Sequence, residues 1–240
     1  MQRDARLCDA LSQLLKTVLD RKILSVSQLV SMSYKGLWNS GTNSCYINAY
    51  LLFMFETIRC VPELKEVWED YVKKVLRTCN QSWFINAVCS AYHTVYVERQ
   101  TANDMIQCKD LIDRRMRNPD GLGDCFDFGR FLAKRFQKAN ERSQHLIHLD
   151  VLWRNVFNAD LFLIQGCDSA EKFFSLQYVN PSAQAYNATS LHGIRYVPGH
   201  YIFYKRLGSG WLEFNDSTVS YLKHLPTSQP FTIVLYKRNS

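Results

Sequence analysis

Residues 41–55 read GTNSCYINAYLLFMF. Small and polar residues lead up to Cys45, and an almost unbroken apolar run follows it. That run predicts a helix over 45–59, buried on most of its surface. The thiol of Cys45 then falls in the first turn. There the unpaired amides and the helix dipole favour an anion. A thiolate is a strong nucleophile, so Cys45 is a candidate catalytic residue. The competing reading is a small residue packed in a core helix.

Further helices follow from apolar spacing at 4–20, 63–77, 82–98, 103–116 and 125–139. The segment 36–43, with two glycines and two asparagines, reads as a loop. The turn-rich break NPDGLGD, 118–124, leads into the last helix, and Asp124 is placed to cap it. After that the character changes. Short runs such as ADLFLIQG, HYIFYKRL, GWLEFND and FTIVLYKR are aromatic or β-branched with polar breaks, as strands are. Helices first and strands later predict an α+β protein. The stretch 180–193, NPSAQAYNATSLHG, reads as a mobile loop.

The totals narrow the class. The 240 residues are 47% hydrophobic, enough for one large core and too apolar for disorder. No apolar run approaches the roughly 20 residues that span a bilayer. The first twenty residues are broken by charge and lack the apolar centre of a signal peptide. The eight cysteines are scattered without a C-x-x-C pair. That spacing predicts reduced thiols in a cytoplasmic or nuclear protein, with no metal site and no cofactor. The net charge of +7 gathers at 114–117 and 134–142. The second cluster includes Glu141 and follows an apolar stripe, as solvated helix faces do, and no aromatic platform accompanies the first. Nucleic acid is therefore not the expected partner.

The second chemical centre lies far downstream, in PGHYIFYKRLGSGWLEFNDSTVSYL, 198–222. His200 follows a Pro-Gly turn and opens a strand. RLGSG turns the chain, and the returning strand ends at Asn215-Asp216. A hairpin brings those ends together, so Asn215 is placed to orient the His200 imidazole as a base. Nucleophile, base and orienting amide are then all present on separate pieces of chain. His93, His145, His148 and His192 show no spacing that implies a metal.

These residues carry a family resemblance. GLWNSGTNSCYINAYL, 36–51, resembles the cysteine box of ubiquitin-specific proteases, and GHYIFYKRLGSGWLEFNDSTV, 199–219, resembles their histidine box. GDCFDFGRFL, 123–132, is similar to a third segment that lies between the two. The resemblance implies a papain-like cysteine protease fold. Its helical, thumb-like lobe would cover about 36–139 and its antiparallel, palm-like β lobe about 140–240, with reduced fingers. Residues 1–35 would form a helical extension. The implied activity is thiol-dependent hydrolysis after the Gly-Gly tail of ubiquitin, acting on ubiquitinated proteins. Alternatives are another ubiquitin-like modifier, a viral polyprotein, or a catalytically weak binding module. In this correspondence Cys45 is the nucleophile, His200 the general base, Asn215 the third member and Asp216 a supporting acid. The family's oxyanion asparagine falls on Ser40, with Asn39 displaced by one, so both are candidates. Asp124 and Asp127 are candidates for gripping the ubiquitin tail, or else simply begin a helix, and Tyr201 and Trp211 would either wall the tail or pack in the core.

Overall fold

The structure is a computed structural model. It describes residues 29–30, 33–39, 44–78, 83–102, 125, 127–129, 131–132, 134–135, 161–165, 188–226 and 231–238. Three helices come first: α1 Cys45–Arg59, α2 Pro62–Thr78 and α3 Trp83–Tyr96. Six strands follow: β1 Leu161–Gln165, β2 Ala188–Val197, β3 His200–Leu207, β4 Gly210–Asn215, β5 Thr218–Leu222 and β6 Phe231–Arg238. The strands form one antiparallel sheet in the order β1-β6-β2-β3-β4-β5. The α+β expectation therefore holds for the described residues.

The apolar run after Cys45 has the consequence its sequence implies. Every residue of α1 from Cys45 to Ile58 is buried. The helix lies across β2 and β3 and also meets α2. On the sheet face beneath it, Tyr201, Phe203, Leu212, Phe214, Ile233 and Leu235 join the same core. By contrast, α2 buries one stripe, Leu64, Trp68, Tyr71, Val72 and Val75, and exposes the rest. Phe55 of α1 meets the ring of Tyr92 on α3 edge-on at 5.2 Å, and Trp68 of α2 does so at 5.8 Å. Positions 125, 127–129, 131–132 and 134–135 are helical. They pack against α1 through Phe128, whose ring is edge-on to Tyr46 and Tyr50.

The far face of the sheet carries a smaller cluster, Ile202, Tyr204 and Trp211. The register pairs Arg206 with Trp211 and Tyr204 with Glu213. Trp211 thus shares the face of Tyr204, away from α1. Of its two readings, slot wall or packing residue, the strand alternation and the Ile202–Tyr204 cluster support packing.

The expected loop 180–193 is also corrected in part. Residues 188–193 begin β2, a central strand paired with both β6 and β3. β5 was absent from the strands expected, although it follows Asn215-Asp216 after a two-residue turn. The expected helices 4–20 and 103–116 lie outside the described residues, as do the lobe boundary at 139–140 and the finger region before β1.

Candidate active site

Cys45 opens α1, after Ser44 at the cap position. It is 5% exposed. The sulfur lies against the backbone amide of Tyr201, the residue after His200 on β3, and it feels the carboxylate of Asp216. Burial, above all, holds the thiol above its ordinary pKa. The amides of Tyr201, Tyr46 and Cys45 pull it down, and Asp216 pushes it up. The amides act as expected, but desolvation outweighs them. A base is then required to take the proton.

The β3–β4 hairpin supplies one. Nε2 of His200 bonds Oδ1 of Asn215 at 2.7 Å. An amide oxygen accepts, so this bond selects the tautomer with hydrogen on Nε2 and leaves Nδ1 with a lone pair. The hairpin register, Phe203 opposite Phe214, carries both residues to the same end of the sheet. Among the described residues no hydrogen bond joins the Cys45 sulfur directly to the His200 ring.

Asp216 is more than a neighbour of Asn215. It adopts a left-handed φ of 52° in the two-residue turn between β4 and β5. Its Oδ2 accepts from Nδ2 of Asn39 at 2.7 Å, and its Oδ1 accepts from Nδ2 of Asn48 at 2.7 Å. Asn48 sits three residues after Cys45, on the same side of α1. It also donates to the carbonyls of Leu37 and Trp38, each at 3.3 Å. Oδ1 of Asn39 accepts from the Ser44 hydroxyl at 3.1 Å. The loop before the cysteine, the start of α1 and the hairpin turn are thereby tied to one carboxylate. Backbone packing tightens the knot. A Cβ added at Gly36 would fall 1.9 Å from the carbonyl oxygen of Asp216. Only glycine lets the loop approach so closely.

The remaining sequence candidates are distributed as follows. Asn39 is present at the site, with its Nδ2 on Asp216. Ser40 and Asp124 lie outside the described residues. Asp127 lies on the helical segment that Phe128 packs against α1. The Tyr201 side chain is only 9% exposed and belongs to the core. The open aromatic beside it is Tyr196, 42% exposed, with ring centroids 5.0 Å apart. Sequence reasoning missed Tyr196 and Asn48. Tyr196 was signalled by the Pro-Gly turn after it, which it buttresses by accepting from the Gly199 amide at 3.0 Å. Asn48 was signalled by a polar residue inside an apolar helix.

No protein-family model matches the chain, and no curated protein matches it. Among the solved structures similar to it are two of one assembly. A chain of the SAGA Ubp8/Sgf11/Sus1/Sgf73 DUB module with a point substitution in Ubp8 aligns with a TM-score of 0.49 and 11% identity, covering 96% of this chain and 74% of that one. A chain of the same module without the substitution aligns at 0.48 and 12%, covering 96% and 73%.

The other histidine on the sheet is chemically different. His192 on β2 is buried, with its ring edge-on to Phe53 and Phe203. Its Nε2 lies 2.8 Å from the Thr57 hydroxyl, which itself donates to the Phe53 carbonyl. The hydroxyl must then accept, so Nε2 carries the hydrogen. Burial, with Lys205 adding to it, lowers the ring's pKa to about 3. His192 is a neutral packing group, not a base. Among the described residues, no cluster of three or more His, Cys, Asp or Glu is arranged to hold a metal. Nor is any helix among them long and apolar enough to cross a membrane.

Proposed function

We propose that this chain is a thiol hydrolase that cleaves the peptide or isopeptide bond after the Gly-Gly tail of ubiquitin. The observation that carries the reading is the His200–Asn215 pair at the start of β3, one residue from the amide that meets the Cys45 sulfur. The cysteine-box and histidine-box motifs supply the substrate class.

Nδ1 of His200 takes the thiol proton as the sulfur attacks the tail carbonyl. The tetrahedral oxyanion is held by the Cys45 amide and a donor from 39–44. Collapse breaks the C–N bond, and the leaving amine takes the proton back from the imidazolium. Water, deprotonated by the same ring, then hydrolyses the thioester. Asn215 holds the ring, and Asp216 positions the loop through Asn39 and Asn48. Transfer needs Nδ1 within about 3 Å of the sulfur, a contact that forms in many enzymes only with substrate bound. Tyr196 is the exposed aromatic beside that path, and Asp127 is an acid for the tail's basic residue.

A ubiquitin probe with a thiol-reactive C-terminus tests this. The parent chain is expected to label once, and Cys45→Ala not at all, with unchanged melting. Equal labelling of the two removes Cys45 as the nucleophile. The raised thiol pKa and the missing sulfur–imidazole bond favour a second reading, a ubiquitin-binding module without turnover. Saturable ubiquitin binding with no labelling of the parent would select it. Probes bearing other ubiquitin-like modifiers separate the remaining substrates.

A further inference from the structure

A cavity of about 450 Å³ opens at the other end of α1. Glu56 on its wall lies three turns from Cys45, about 16 Å along the axis at about 1.5 Å per residue. The cavity is therefore separate from the thiol site, and nothing in the proposed hydrolysis uses it.

Its lining holds three cations, Arg59, Arg99 and Lys205, against one carboxylate, Glu56. That carboxylate is already matched. Glu56 is 4% exposed and pairs with Nζ of Lys205 at 2.7 Å. It also takes a hydrogen bond from the Tyr96 hydroxyl. Arg59 is spread over the Tyr96 ring, 4.6 Å from its centroid, and reaches Tyr92 and Glu69 behind the wall. Arg99 is exposed and makes no ion pair among the described residues. The lining thus carries an excess of positive charge.

The dipole of α1 accounts for a cation at Arg59, its last residue. It does not account for Arg99. That residue has a left-handed φ of 60°, in the bend where the Gln100 amide turns back to the Thr94 carbonyl at 3.0 Å. Glycine would adopt this conformation with less strain. The left-handed turn closes the end of α3 and leaves the Arg99 side chain on the cavity wall. Guanidinium groups match phosphate oxygens in a two-pronged fork. The volume exceeds what a bare phosphate needs and falls in the range of small-molecule sites. The Tyr34 ring gives the organic part of a ligand a flat wall, while the Tyr96 ring is already covered by Arg59 and Tyr92.

From these features we infer that the cavity binds a small phosphate ester, with Arg99 and Arg59 on the phosphate and the Tyr34 ring beside the organic group. The site shares α1 with Cys45 and β3 with His200, so its occupant touches both elements of the thiol centre. The binding itself does not depend on thiol chemistry.

The test is calorimetric titration of the whole chain with phenyl phosphate, glycerol phosphate and adenosine monophosphate, beside inorganic phosphate, phenol and adenosine. At least one ester is expected to bind with Kd below about 1 mM. It should exceed its phosphate-free counterpart at least tenfold and weaken as salt rises. Arg99→Ala should reduce that affinity at least fivefold, with Arg99→Lys between the two. Cys45→Ala should leave it unchanged, which keeps this result apart from the probe experiment. Arg99 is exposed, so its variants report on binding and not on folding. No saturable binding by any of the three esters overturns the inference. So does equal affinity in Arg99→Ala.

Discussion

The two ends of α1 hold one carboxylate each, and they hold it differently. At the start, Asp216 accepts from the amides of Asn39 and Asn48 and, among the described residues, pairs with no cation. At the end, Glu56 is buried against Lys205. Both arrangements fasten the helix to the β3–β4–β5 meander. Amides satisfy the lone pairs of a carboxylate without cancelling its charge. The field of Asp216 therefore still reaches Cys45 and favours the protonated thiol. A lysine at the same place would cancel that field, yet burial would still hold the thiol in its protonated form. The start of the helix is built for a proton that moves, the end for a charge pair that stays.

Removing the base breaks the comparison at its reactive end. His200→Ala is expected to lower kcat/KM for a ubiquitin substrate by about a hundredfold to ten-thousandfold. Its melting temperature should stay within a degree or two, because the ring is half-buried at a strand end. A loss of tenfold or less would show that another group takes the proton. The opposite end is broken by Lys205→Met, which leaves Glu56 buried without a cation. About 3 kcal/mol of stability should be lost in urea unfolding. Adding Glu56→Gln should restore most of it, and failure of that rescue would mean that Lys205 acts through packing alone.

A smaller effect sharpens the contrast. Asn48→Ala removes a donor from Asp216 and from two backbone carbonyls, at a cost of about 1–3 kcal/mol. Turnover should fall as well, because the loop carrying Asn39 loosens. A variant equally destabilised at Val72 of α2 should keep its turnover, and equal losses in both would reduce Asn48 to a stability residue.

A further contrast separates the two histidines. The His192 pKa falls from 6.5 unfolded to about 3 folded, so below pH 6.5 the unfolded chain binds a proton that the native chain does not. Stability from this group is complete above pH 6.5 and declines by about 1.4 kcal/mol per pH unit toward pH 3. Urea midpoints measured from pH 7.5 to 5 should show this slope flattening in His192→Gln. An unchanged slope would assign the acid sensitivity elsewhere.

How much of this could be read from the residues depends on the range of the interaction. The bounds of α1 and of the β3–β4 hairpin follow from local patterns, an apolar run with one thiol and two strands around a Gly-rich turn. The His200–Asn215 pair spans that hairpin and was legible for the same reason. The Asn39–Asp216 bond joins residues 177 positions apart, and no local signal announces it. Residues 188–193, ATSLHG, lack the β-branched density of a strand. They become one because β6 pairs along them and β3 joins from His192 onward, and that context overrides propensity. Burial of the thiol stood as one of two readings of the apolar run, and it is the sheet closing over the helix start that decides for it.

The hairpin tips differ in one further respect. At Gly208, between β3 and β4, an added Cβ would meet nothing within 4 Å, whereas the Asp216 turn is wedged against Gly36. An inserted epitope or fluorescent tag belongs at the first tip, where extra chain projects into solvent. The second admits no added length, so natural sequence drift should accumulate at 208–209 and spare 215–217.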